Sequence, residues 1–178
     1  QTFALTAASW TAPSAGTMLN WQHGWNLPVW QTGARYRVDV RAKDKAKNYQ
    51  AQITSYTFVY ETESPTVKVT EPYASYYNYL PTISGTAQDA IVFGQLNKVE
   101  IRVKNNSKAA PYWNNTAGQF NYSVAQAELA WYTPKNESGD WRVWVQTFTF
   151  TSGDKFEINA RVQNQAQYWC AAYSTQTF

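Results

Sequence analysis

Chemistry in this chain would have to come from few groups. One histidine, His23, sits in Asn20-Trp21-Gln22-His23-Gly24-Trp25, and one cysteine, Cys170, lies between Trp169 and Ala171. A single His excludes a multi-histidine metal site, and a single Cys excludes an internal disulfide framework. No Gly-x-Ser-x-Gly elbow occurs, although a nucleophilic triad is defined by geometry and not by order. His23 reads as a surface or packing residue. Cys170 reads as a small buried hydrophobe, with an intermolecular disulfide as the sharper alternative. Glycoside cleavage needs two carboxyl groups held about 5–10 Å apart in a cleft. The 12 acidic residues instead fall singly on alternating positions of strand-like runs, the pattern of a solvated surface. The expectation is a protein that is not an enzyme.

Aromatic rings are the larger resource, with 9 Trp, 13 Tyr and 8 Phe, enough to build a packed core. Tyr73, Tyr76, Tyr77 and Tyr79 crowd one loop, Tyr112 and Trp113 follow further on, and Trp21, Trp25 and Trp30 form a second group. Exposed rings of this kind fill protein–protein contacts or stack on sugars, and contact is the favoured reading. Asn-x-Ser/Thr strings at Asn105, Asn114, Asn121 and Asn136 lie in polar, turn-rich sequence, where glycosylation is sterically open. The net charge of +3 is dispersed and forms no nucleic-acid stripe. No run approaches the ~20 apolar residues of a membrane span, and no basic-then-apolar leader opens the chain.

The elements that must position these groups are strands. Thr66–Thr70, Val99–Lys104, Tyr36–Arg41 and Phe156–Arg161 each alternate apolar and polar residues, as half-buried strands do. Pro81–Ala87 is a shorter strand, and Trp141–Phe150 is aromatic and β-branched throughout. The one helical turn expected is Val124–Trp131. Pro65 and Pro72 flank the first strand of the second half, which suits an edge.

The chain also repeats itself. Gly33-Ala34-Arg35-Tyr36-Arg37-Val38-Asp39-Val40-Arg41-Ala42 has a partner 120 positions later, Gly153-Asp154-Lys155-Phe156-Glu157-Ile158-Asn159-Ala160-Arg161-Val162. The same offset joins Tyr49 to Trp169, Thr57-Phe58 to Thr177-Phe178, and Trp21 to Trp141. Self-similarity at a fixed period is the mark of a repeat architecture. On this reading residues 63–178 hold a whole unit and residues 1–62 the C-terminal half of another, so both ends are expected to be cuts through a longer array. The missing half would then be trimmed away or supplied by a neighbouring molecule.

The string Tyr36-x-Val-x-Val-Arg41-Ala42-x-Asp44-x-Ala46-x-Asn48 resembles the penultimate strand and following turn of bacterial immunoglobulin-like and cadherin-like tandem repeats of large cell-surface proteins. Thr57–Val67 is similar to that family's junction between domains, and Leu80-Pro81-x-Ile83-Ser84-Gly85-Thr86-Ala87-x-Asp89 to its second strand. The resemblance implies an all-β fold of tandem immunoglobulin-like Greek-key sandwiches, the first copy incomplete in its N-terminal half. It implies a non-enzymatic spacer, stalk or filament subunit, outside the cell or on its surface, whose partners are neighbouring copies or adjacent repeats. The alternative is a carbohydrate-binding adhesin module using exposed Trp and Tyr. Cadherin-like arrays stiffen junctions with calcium, for which Glu61, Glu63 and Asp89 are the candidates here, though no clustered Asp-x-Asp string accompanies them. Four positions depart from the family pattern. Lys47 and Gln167 stand where it has Gly, Ser64 replaces the first of two prolines, and Asn164 stands where it has a turn Asp.

Overall fold

The structure is a computed structural model and describes residues 10–17 and 19–178. Two units are distinguished, Gln1–Trp30 and Gln31–Phe178. In the first, two-residue strands β1 (Ala15–Gly16) and β2 (Trp21–Gln22) pair antiparallel. Gly16 at φ +102° takes the turn, where a Cβ would lie 2.2 Å from the Asn20 carbonyl oxygen.

The second unit opens with a hairpin of β3 (Arg35–Val40) and β4 (Thr54–Val59). Nine strands then form two antiparallel sheets. β5 (Thr66–Glu71), β6 (Thr82–Gln88), β10 (Lys135–Asn136) and β11 (Val143–Thr147) make a four-stranded sheet in the order β10-β11-β6-β5. β7 (Leu96–Asn105), β8 (Tyr112–Asn114), β9 (Gln119–Tyr122), β12 (Phe156–Asn164) and β13 (Ser174–Thr177) make a five-stranded sheet in the order β13-β12-β7-β8-β9. The protein is all-β, and this part of it is a β-sandwich. The Val124–Ala130 segment is a 3-10 helix, opened by Gln126 Oε1 accepting from both the N–H and the hydroxyl of Ser123.

Alternation builds the core. Val99, Ile101 and Val103 of β7 and Phe156, Ile158, Ala160 and Val162 of β12 point inward, onto Val69, Ile83, Ala87 and Trp144 of the facing sheet. Trp144 lies opposite Gly85 on the neighbouring strand, and a Cβ there would meet the indole at 2.1 Å. Position 85 therefore carries glycine so that the largest ring of the core fits. Val69 N–H donates to Ser174 Oγ at 2.9 Å, tying the edge of one sheet to the other. Pro65 and Pro72 are both fully buried beside β5, and the Glu71–Pro72 bond is cis. The aromatic run Trp141–Phe150 pairs only over Val143–Thr147; Phe148 and Phe150 leave the ladder and pack into the core as rings.

The hairpin and the sandwich share one piece of geometry. In β3–β4, Arg37 pairs with Thr57 and Val40 with Thr54; in β12–β13, Glu157 pairs with Thr177 and Ala160 with Ser174. Tyr36 stacks on Phe58 at 5.7 Å and 28°, and Phe156 on Phe178 at 5.8 Å and 26°. Lys43 bridges to Tyr49 and Gln163 to Trp169. Lys47 and Gln167, both non-glycine, hold left-handed backbone at φ +73° and +70°. Every one of these pairs is separated by the 120-residue offset.

Candidate functional site

The residues that come together with the strongest electrostatics are Glu61, Asp89 and Asn164. Glu61 follows β4, Asp89 follows β6, and Asn164 ends β12, so three separate loops meet. Asn164 is fully buried; its Nδ2 donates to Glu61 Oε1 at 2.8 Å and to the Glu63 carbonyl at 3.1 Å, while its Oδ1 accepts from Tyr168 N–H at 2.9 Å. The two donations need an amide, and a carboxylate could supply only the acceptance. In the first hairpin Asp44 only accepts, from the Asn48 N–H at 2.8 Å and the Asn48 amide at 3.1 Å. The difference from Asp44 at the equivalent position thus has a physical reason: a donor is required at 164 and not at 44.

Asp89 is the least satisfied group nearby. Both of its carboxylate oxygens are buried without a hydrogen-bond donor, and a Cβ on Gly94 would lie 2.3–2.5 Å from that carboxylate, so glycine lets it fold over the loop. Burial pushes the Glu61 carboxyl up to about 7, with the neighbouring Asp89 carboxylate adding to it and the Asn164 amide opposing. Two carboxylates cannot donate to each other; a proton held between them can join them. A hard cation would find here two carboxylates and the Glu63 carbonyl. That is short of the six to eight oxygens calcium takes, and no group of three or more His, Cys, Asp or Glu residues gathers among the described residues.

Next to this cluster the hairpin meets the sandwich. Gly33 faces Ile91, whose Cγ2 would lie 3.6 Å from an added Cβ, and the Arg35 guanidinium stands 4.6 Å over the Phe93 ring.

The tyrosine loop is exposed at Tyr73, Tyr76 and Tyr79, with Tyr76 93% accessible. Tyr77 turns in, its hydroxyl accepting from Tyr73 and Ala74 N–H at 2.6 and 2.8 Å and its ring meeting Phe178 edge-on at 5.8 Å. A cleft of about 940 Å³ opens there between the loop, Thr147–Phe156 and Phe178. Tyr112 and Trp113 do not join it. Tyr112 is buried under Arg102, and Trp113 packs on Phe120 and Phe148 at 5.1 and 4.8 Å. Trp21 and Trp25 are exposed in the first unit and Trp30 is half-buried; Trp141 packs partly against the core. His23 is half-buried and its Nδ1 has no partner among the described residues. Cys170 is buried, with Sγ 3.5 Å from Val162 N–H. Of the glycosylation strings, Asn105 is corrected: it is fully buried, donating to Asp154 at 2.7 Å and accepting from Ser107 N–H at 2.9 Å. Asn121 is exposed, and Asn114 and Asn136 use Oδ1 to close turns.

One feature was not read from the sequence. The outer face of the five-stranded sheet is a ladder of cations between rings: Arg161 lies 4.5 Å from Trp169 and 4.2 Å from Trp131, and Arg102 lies 4.5 Å from Trp131 and 5.1 Å from Tyr112. Glu100 accepts from Lys98 and Arg161 at 2.8 and 2.7 Å; burial alone would raise its carboxyl, but these bonds hold it below its ordinary range. The expected solvated face is instead a largely covered network. Its Arg161–Trp169 rung recurs in the first hairpin, where Arg41 stands 4.3 Å over the Tyr49 ring.

Compared with known proteins, the chain matches no family model, and no curated protein matches it significantly. No helix among the described residues is long and apolar enough to cross a membrane.

Proposed function

We propose that this chain is a non-enzymatic structural segment of a long extracellular or cell-surface protein, built from tandem immunoglobulin-like repeats and working as a spacer, stalk or filament subunit. The observation that carries the reading is the hairpin built twice at one offset, with identical register, ring stacking and left-handed turn positions. Support also comes from strand order. β5-β6-β11-β10 facing β13-β12-β7 has the arrangement of the immunoglobulin-type sheets, with extra strands after the third. A short connection with a buried amide clasp suits a module held at a set angle to its neighbour. Electron micrographs of the native material test this: extended rows or fibres are expected, and dispersed compact particles overturn it.

The second reading is a glycan-binding adhesin module, favoured by two exposed tyrosines, Tyr76 and Tyr79, lining one cleft. Quenching of Trp fluorescence by an oligosaccharide panel would favour it; a flat response removes it.

A further inference from the structure

We infer that the end of the sandwich carrying Gly153, Lys155 and Phe178 is a socket for the Asp89–Gly94 loop of a second copy of this sandwich. The inference rests on the repeat reading and specifies the contact by which one unit seats on the next. The template lies inside the chain. Gly33, at φ +77°, presents bare backbone to Ile91, and Arg35 covers the Phe93 ring at 4.6 Å. At the equivalent place 120 residues on, Gly153 has φ +83° and Lys155 replaces Arg35 as the cation. An added Cβ at Gly153 would meet nothing within 4 Å, and Lys155 is exposed with no ion pair among the described residues. The strands that hold the two pairs share register, and the rings behind them stack alike. A loop whose shape fits the first end therefore fits the second, an aliphatic side chain on the glycine and an aromatic ring under the cation. The cleft beside Lys155, lined by rings and hydroxyls with Tyr76 on its rim, supplies further surface to cover.

In a separate molecule the Asp89–Gly94 loop is already occupied by its own Gly33 and Arg35, so the probe is covalent. A tandem chain is made in which Phe178 continues into a second Val59–Phe178, reproducing the Phe58–Val59 step. Arg35→Cys with Phe93→Cys in the natural chain serves as the internal reference. Lys155→Cys in the first sandwich with Phe93→Cys in the added copy reports the socket. Lys155 and Phe93 are both exposed, so each position tolerates cysteine, and native Cys170 is buried. A short bismaleimide, to which each thiol adds without any oxidant, is expected to close both pairs to a comparable extent, read as a gel shift and by mass spectrometry. Closure of the reference pair alone overturns the socket. Closure of neither overturns it as well, since the template contact is then absent in solution. A tandem pair that closes while native micrographs show no rows would remove the spacer reading and leave the contact standing.

Discussion

Replacing Asn164 by Asp is the substitution that family likeness would recommend and that the junction forbids. Asp stands at the equivalent position 44, so a consensus argument expects a gain of about 0.5–2 kcal/mol. The geometry expects the opposite. A carboxylate at position 164 would keep the bond accepted from Tyr168 N–H but lose the donation to the Glu61 carboxylate and to the Glu63 carbonyl. A bond to a charged partner contributes about 1.5–3 kcal/mol and a neutral one about 1. A third carboxylate would also be buried against Glu61 and Asp89, and an uncompensated buried charge costs about 3–5 kcal/mol. The expected loss is therefore ~3–5 kcal/mol at pH 7.5, a fall in Tm of roughly 6–20 °C for a chain of this size. Urea denaturation followed by Trp fluorescence measures it, with Asp44→Asn as the companion expected to stay within about 1 kcal/mol of the parent, since an amide Oδ1 still accepts from Asn48 N–H. Near pH 4 the gap should narrow, because the introduced acid, once protonated, donates again. An Asn164→Asp variant as stable as the parent at pH 7.5 would refute the role given to the amide.

Further outcomes follow from the same structure. Because the folded Glu61 carboxyl sits near 7 and the unfolded one at its ordinary 4.5, the folded state holds a proton that the unfolded chain releases. Stability should thus fall as pH rises across that window, by at most ~1.4 kcal/mol per pH unit, and Glu61→Gln should flatten the fall in a pH series of urea midpoints. Gln167→Gly should stabilise by about 0.5–1 kcal/mol, because a left-handed backbone costs a side-chain-bearing residue ~1–2 kcal/mol and glycine returns part of that as unfolded-state entropy. Gly85→Ala should destabilise by ~1–3 kcal/mol in thermal melts, as its methyl overlaps Trp144 and the Lys68 carbonyl. Calcium at about 1 mM, where extracellular modules bind it, should leave the melting midpoint unchanged relative to EDTA, and a rise would show that Glu61 and Asp89 hold the ion.

The strands were legible wherever alternation was long. Val99–Lys104 became Leu96–Asn105 and Phe156–Arg161 became Phe156–Asn164, extended because pairing runs past the alternating stretch. β8, β9 and β10 were not legible. They are two to four residues long and owe their pairing to neighbours rather than to any pattern of their own. Of the site, Glu61 and Asp89 were visible as junction acids, but Asn164 was visible only as a departure from the family pattern. Its importance depends on a bond spanning 103 positions, which no local pattern records. The cation ladder was hidden for a similar reason: Arg102 and Trp131 meet only after the 3-10 segment Val124–Ala130 crosses the sheet.

The edges of the sandwich carry a consequence for solubility. A long bare strand edge templates the backbone of other molecules and seeds aggregation. Here each of the four margins is blunted: β10 has two residues, β9 and β13 four each, and β5 carries an irregular register and stands between two buried prolines. At these margins the sandwich can therefore crowd at high density without exchanging backbone ladders, and side-by-side association there must be made by side chains, where a single substitution can abolish it.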